Sequence, residues 1–218
     1  HDLKEPLRSI ISFTQLLERR YKPLITETDY YIFDFIISNG KRMYLLIERI
    51  LEYAKSGKIN SFKLVHTNHL LETLEKDLQQ LISENNVSII YDALPDIIFS
   101  ELAMKVILQN LIINGIKHNK NAKKVIRISA IEYDKNWTFF VSDNGIGINE
   151  EYHEYVFNLF KQIDSREKYS GTGIGLSICK KTIESVGGEI GIQSNPNQGT
   201  TFYFTIPKGL KTNIIDNS

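Results

Sequence analysis

The sequence predicts an α+β chain in two parts: a two-helix antiparallel hairpin that pairs with a second copy into a four-helix bundle, followed by an α/β sandwich. Three observations carry this. Apolar residues step by three and four through the opening of the chain. A polar, glycine-bearing break follows, and beyond it short β-type runs mix with helical runs without regular βαβ alternation.

In the first part the step runs through Leu3, Leu7, Ile10, Thr14, Leu17 and Tyr21, then through Ile32, Ile36, Asn39, Met43, Leu46, Ile50 and Tyr53. These are heptad seams of helices long enough to want partners. Pro23 ends the first helix, and TETD at Thr26 to Asp29 offers a capping start for the second. A hairpin with a short connection leaves a seam that one mate cannot cover, so self-association is expected. Asn39 either fixes register on that seam or lies at its edge, and His1 falls off the seam towards solvent.

The break KSGKINS, Lys55 to Ser61, divides the chain into a hairpin at 1–56, a linker at 57–61, a second domain at 62–210 and a tail at 211–218. In the second domain helical periodicity covers about 68–84, and VSIIYD and DIIF read as strands. A helix then runs from an N-cap at Ser100 to about His118. KVIRISAIEY and WTFFVSD are strands, Ile174 to Val186 is the last helix, and GEIGIQSN and TTFYFTIP close the domain as strands. The mixture predicts helices on one face of a mixed sheet.

Composition excludes several classes. With 26 Lys plus Arg against 26 Asp plus Glu, no overall field favours nucleic acid or an anionic membrane, so any phosphate recognition is local. The single Cys179 has no disulfide partner within the chain and sits in an apolar helical run, as a core residue in a reducing compartment would. No run approaches the roughly 18 apolar residues of a spanning helix, and no signal peptide is visible. Starting without Met, the sequence reads as a fragment, with a membrane segment upstream of it left open.

Three stretches carry chemistry. In LQNLIINGIKHN, at about 100° per residue, Asn110, Asn114 and Lys117 share one stripe of an apolar helix, with His118 nearby. Carboxamides and an ammonium there suit a hard cation and a phosphate, though such a stripe is also what a solvated helix face looks like. In VSDNGIGI, Asp143 ends a strand, and Gly145 and Gly147 permit positive φ or close approach to a flat ligand. Asn144-Gly145 is equally a hairpin-turn dipeptide, but the polar, helical NEEYHEYVF that follows does not return as a strand. In SGTGIGLSICKKTI, Gly171, Gly173 and Gly175 lead into a helix whose N–H groups and dipole suit phosphate; it is neither a Rossmann nor a P-loop spacing. Between these lies FNLFKQIDSREKYS, where Phe157 and Phe160 are expected to anchor a polar segment long enough for a mobile lid.

In this order HDLKEP, QNLIINGIKHN, DNGIGI, FNLF and GTGIGLS resemble the H, N, G1, F and G2 boxes of sensor histidine kinases of two-component systems, with a phytochrome-type flavour in HDLKEPL. The resemblance covers nearly the whole chain. It implies a dimerisation and phosphotransfer hairpin followed by a Bergerat-type (GHKL) domain shared with the Hsp90, gyrase and MutL class. It further implies ATP and Mg²⁺ as cofactors, a homodimer, a response-regulator receiver domain as partner and a sensor domain upstream. By that resemblance His1 is the phosphoacceptor with Asp2 orienting it, Asn110 and Asn114 hold Mg²⁺, and Lys117 and His118 reach the phosphates. Asp143 accepts the adenine amino group beside Gly145 and Gly147. Gly171, Thr172, Gly173, Gly175 and Leu176 line the lid and phosphate end, and Thr201 touches the adenine side.

Three positions depart from the family's pattern. Glu5 stands where Thr or Asn is common, and its charge would repel a phosphoryl group, so weak phosphatase activity is expected. Gln162 stands where arginine often follows the F box, leaving Lys161, Arg166 and Lys168 as candidates for the γ-phosphate. Gly115 stands where alanine is usual, and Gly in a helix interior costs roughly 1 kcal/mol relative to Ala. Two other functions compete with the kinase: a nucleotide-binding dimer that serves as a catalytically silent scaffold, and an ATPase of the Hsp90 or MutL type. Intact His1, Asn114 and Asp143 argue against the first, and the heptad hairpin headed by His-Asp argues against the second.

Overall fold

The computed structural model describes residues 4–22, 26–56, 59, 62–161, 163 and 173–211. It divides into two compact units, residues 1–54 and 55–218.

The first unit is a helical hairpin of α1 (Lys4–Tyr21) and α2 (Glu27–Ser56). The predicted capping start is a reciprocal box: Thr26 N–H donates to Asp29 Oδ2 at 2.9 Å and Asp29 N–H to Thr26 Oγ1 at 3.2 Å. The Thr26 hydroxyl, and after it the Thr26 N–H, donate to the Asp29 carboxylate and hold it below its usual range. The helices meet through buried Leu7, Ile37 and Gly40; a Cβ on Gly40 would lie 2.7 Å from Ile11 Cγ1, which is why close approach selects glycine there. Lys4 bonds Glu48 across the pair at 2.8 Å.

The heptad positions read from the sequence fall mainly outside this contact. Ile10, Leu17, Ile32, Ile36, Met43 and Ile50 are all at least two-fifths exposed. On α2 they sit about a quarter-turn from the Ile37 and Gly40 stripe, so one hairpin satisfies one face and leaves a second apolar face open. Asn39 is exposed and donates to Phe35 O of its own helix at 2.8 Å.

The second unit opens with β1 (Lys63–His66), α3 (Thr67–Asp77), α4 (Gln79–Glu84), β2 (Val87–Tyr91), β3 (Asp96–Phe99) and α5 (Glu101–Lys117). It continues with β4 (Lys124–Glu132), β5 (Asn136–Asp143), short 3₁₀ turns at Glu150–Tyr152 and Tyr155–Phe157, α6 (Gly175–Glu184), β6 (Ile190–Ser194) and β7 (Thr200–Pro207). The expected single helix at 68–84 is two, parted at Leu78, and β1 was not read from the sequence at all. Four residues can show little alternation, and β1 takes its form from antiparallel pairing with β3.

The main sheet runs β2-β4-β5-β7-β6, parallel only between β2 and β4. Its inward residues Ile126, Ile128, Phe139, Val141, Phe202, Phe204 and Ile206 are buried in one core with Leu108, Leu111, Ile112 and Ile116 of α5 and Cys179 and Ile183 of α6. Phe139 stacks on Phe204, centroids 5.2 Å apart. At about 25 cal/mol per Å², burying aromatic and aliphatic side chains of this size is the main stabilisation of the module. Cys179 is fully buried, as a core residue. Among the described residues no helix is long and apolar enough to cross a membrane.

Candidate functional site

The site lies where one end of α5, the end of β5, the start of α6 and the β6–β7 turn converge. Ser100 caps α5, its Oγ accepting from Ala103 N–H at 3.3 Å, so the helix starts where the sequence placed it. Its apolar faces bury against the sheet and leave Asn110 and Asn114 half-buried, with Lys117 and His118 exposed at the C-terminal end. Asn110 Nδ2 donates to Val106 O at 2.8 Å, so its carboxamide oxygen faces away from the helix. That oxygen would lie 2.6 Å from a Cβ on Gly175, which brings the stripe on α5 against the first residue of α6. Ile174, the residue before α6, gives no side-chain cap, so the first turn of this helix presents N–H groups and a positive dipole end next to Asn110. Carboxamide oxygen beside helix-end N–H groups fits a hard cation with its phosphate.

Asp143 ends β5 on the inward side of the sheet. Burial pushes its carboxyl up to about 6, opposed by hydrogen bonds from the Gly145 and Thr200 N–H groups. The Gly145 bond to Oδ1 is 2.7 Å. Two donors satisfy part of the carboxylate and leave acceptor capacity for a ligand N–H.

The DNG turn is not a hairpin. Asn144 turns back across the sheet edge: its Oδ1 accepts from Asn119 Nδ2 at 2.7 Å and Val125 N–H at 2.8 Å, and its Nδ2 donates to Lys123 O at 3.1 Å. Asn119 is 3% exposed and Asn121 Nδ2 also bonds Asn144 O, so this polar cluster fixes the turn from behind. The two glycines answer to protein neighbours. A Cβ on Gly145 would lie 2.4 Å from His118 O; Gly147 has φ +70°, and its Cβ would fall within 1.9 Å of Asn195 O. They let the turn pack between the C-terminus of α5 and the β6–β7 turn, where Ile146 N–H bonds His118 O at 3.0 Å and Asn197 N–H bonds Ile146 O at 2.7 Å.

Other expected residues fare differently. Thr201 does not face Asp143. The register pairs Asp143 with Thr200 and Ser142 with Thr201, and Thr201 bonds Ser142 at 2.8 Å on the face away from the helices. Alternation is the reason, and it was legible: with Phe202 and Phe204 inward, Thr200 must be inward too. Leu176 is half-buried against the apolar core. Phe157 is buried, edge-on to Phe202 at 6.2 Å, but Phe160 is 51% exposed and contributes its backbone, with φ +63° and an N–H bond to Gly173 O at 2.9 Å. Gly115 is explained by the sheet, since its Cβ would stand 3.1 Å from Asp143 Cβ. His1, Asp2, Gly171, Thr172, Gln162, Arg166 and Lys168 lie outside the described residues. Thr200, Ser194, Asn119 and Asn144 belong to the site and were not read from the sequence as site residues.

Residues 100–210 match the family model described as histidine kinase-, DNA gyrase B-, and HSP90-like ATPase, and residues 1–58 match the His Kinase A (phospho-acceptor) domain. The chain is 37% identical over 210 residues to the phytochrome-like protein Cph1 of Synechocystis sp., covering 96% of this chain and 28% of that relative's length. Full-length ShkA, solved in complex with AMPPNP, shares the fold with TM-score 0.73 at 23% identity, over 97% of this chain and 45% of that one. Histidine kinase ThkA, solved in complex with the response regulator TrrA, shares it with TM-score 0.66 at 24% identity, over 95% and 60%.

Proposed function

The chain belongs to the histidine kinases, with a phosphoacceptor domain followed by a histidine kinase-type ATPase domain, and from that premise we propose that it is an ATP-dependent protein-histidine kinase core of a two-component system. It would phosphorylate His1 and pass the phosphoryl group to an aspartate of a response-regulator receiver. The observation that carries the reading is the convergence of the Asn110–Asn114 stripe, the uncapped start of α6 and the half-satisfied Asp143 carboxylate in one module.

The roles follow from chemistry. Asp143 takes the adenine amino group, the donor that matches its spare acceptor capacity. Asn110 and Asn114 are the residues that would hold Mg²⁺, which when bound offsets charge on the transferred group. Lys117 and the N–H groups at the start of α6 position the phosphates. At His1 a neutral imidazole nitrogen attacks the γ-phosphorus, the bond to the β–γ bridging oxygen breaks and ADP leaves, while Asp2 accepts from the other ring N–H and holds the tautomer.

The open apolar face of the hairpin supports a homodimer, since Ile36, Met43 and Ile50 in water are otherwise unaccounted for. The relatives' greater length supports a sensor region elsewhere in the parent protein, and the complex of ThkA with TrrA supports a receiver as partner. The parent's kinase part is read as cytoplasmic, where ATP and the receiver are.

The test is incubation with γ-labelled ATP and Mg²⁺. Wild type should take acid-labile label, and His1→Gln and Asn114→Ala should take none. A chain that binds ATP but leaves His1 unlabelled is a scaffold, and ATP turnover that survives His1→Gln marks an ATPase.

A further inference from the structure

At the end of β6, the Ser194 hydroxyl lies 2.8 Å from Ile148 N, 2.8 Å from Gly199 O and 2.9 Å from Thr200 Oγ1. A hydroxyl has one proton to give and two lone pairs. Gly199 O can only accept, so the proton goes there; Ile148 N–H can only donate, so it takes one lone pair. The remaining lone pair receives the proton of Thr200, which makes Thr200 the donor in that pair. One oxygen thus joins three segments: the end of β6, the 145–148 turn and the start of β7. Two of them carry the N–H groups that hold the Asp143 carboxylate, those of Gly145 and Thr200.

Resting on the kinase reading above, we infer that Ser194 is a positioning residue for the purine base: its hydroxyl ties the turn and strand that aim the Asp143 carboxylate, without itself touching the nucleotide. The surroundings make the tie consequential. Thr200 is 6% exposed, and Gly199, at φ +78°, has no room for a side chain, its Cβ falling 2.0 Å from Asp143 O. Without the Ser194 hydroxyl, Ile148 N–H and Gly199 O lose their shared partner and the Thr200 hydroxyl is released, so the two donors to Asp143 lose a common anchor. The phosphate end is built from α5 and α6, and none of these bonds reaches it. Loss of Ser194 should therefore weaken recognition of the base and spare the rest.

The test uses the whole chain as wild type, Ser194→Ala, Ser194→Thr and Thr200→Val, measuring autophosphorylation against ATP concentration and binding of ATP, GTP and inorganic triphosphate with Mg²⁺. Ser194→Ala should raise the KM for ATP about tenfold, the range of one lost hydrogen-bond anchor. Its kcat should stay within about twofold and its triphosphate binding unchanged, while the preference for ATP over GTP falls. Ser194→Thr keeps the hydroxyl and should return KM close to wild type. If Ser194→Ala does not fold, Thr200→Val, which removes the donor at the same oxygen, should show the same split. An unchanged KM in both variants, an equal loss of kcat, or an equal loss of triphosphate binding overturns the inference while leaving the kinase reading intact. A wild-type chain that binds no ATP overturns both.

Discussion

Gly115 of α5 stands opposite Asp143 of β5, with no more than 3.1 Å between the Asp143 Cβ and the place a Gly115 Cβ would occupy; Ile126 Cδ1 is next at 3.4 Å. The helix that carries the Asn110 and Asn114 carboxamides and the strand that carries the Asp143 carboxylate thus approach closely enough to crowd a β-carbon. Replacing Gly115 by Val puts a β-carbon and two methyl groups into this contact. Overpacking of this kind costs about 1–3 kcal/mol. Gly115→Val should lower stability by that amount in urea and displace Asp143, raising the Kd for ATP by an order of magnitude or more in calorimetry.

If Asp143 takes the adenine amino group as proposed, its half-buried carboxyl, with its pKa pushed up to about 6 by burial, should make base recognition pH-dependent. Adenosine carries no phosphate to titrate and should bind about tenfold more weakly at pH 5 than at pH 7, because each pH unit below the pKa removes tenfold of the anion. Linkage has the opposite sign for the empty fold. The folded pKa lies above the ordinary 3.8, so the folded state takes up a proton in the window between about 6 and 3.8. The destabilisation by the ionised group at pH 7 is relieved as pH falls through that window. Asp143→Asn should abolish both dependences, and a wild-type adenosine affinity flat from pH 7 to 5 would remove Asp143 from the role.

Asn144 is exposed as a residue, yet its amide serves Asn119, Val125 and Lys123 at once. Asn144→Ala leaves the Val125 N–H and the Asn119 amide short of a partner, worth about 1–2 kcal/mol in partly solvated surroundings. The measurement is urea denaturation together with ATP binding, and both should weaken. A variant as stable as wild type would show that water replaces the cluster without loss.

On the hairpin, Ile36 and Met43 are 41% and 54% exposed on the face the two helices do not share. Ile36→Glu with Met43→Glu should convert a dimer to a monomer in sedimentation equilibrium while the melting of the second unit stays put. If the double variant remains dimeric, the pairing surface is elsewhere.

Glu5 sits in the first turn of α1, exposed, with its backbone carbonyl taken by the Ser9 hydroxyl at 3.1 Å and its carboxylate at the surface. On the kinase reading proposed above, a negative charge at this position would repel the incoming phosphoryl group. Receiver phosphate should be lost slowly with wild type and several-fold faster with Glu5→Thr. Robust, Glu5-dependent loss with wild type contradicts the expectation.

Much of the fold was legible because its signals are local. The Ser100 cap, the Thr26–Asp29 box and the alternating runs of β4, β5 and β7 each declare themselves within a few residues. β1 did not, because a four-residue strand exists only through its pairing with β3. The hairpin's periodicity was visible, but the face it named is mostly the one left open, and the buried contact runs through Leu7, Ile37 and the closely approached Gly40.

What the sequence alone determined is the chemistry available and its order along the chain: carboxamides at helical spacing, an acid at a strand end, glycines ahead of a helix. Residue type and local period need no partner to be read. The tertiary structure decided which of these meet. It set Thr200 opposite Asp143 in the strand register, made the turn glycines answer to His118 and Asn195, and gave one serine hydroxyl three partners from separate segments. Those outcomes depend on register and on contacts between residues distant in sequence, which short-range pattern does not encode.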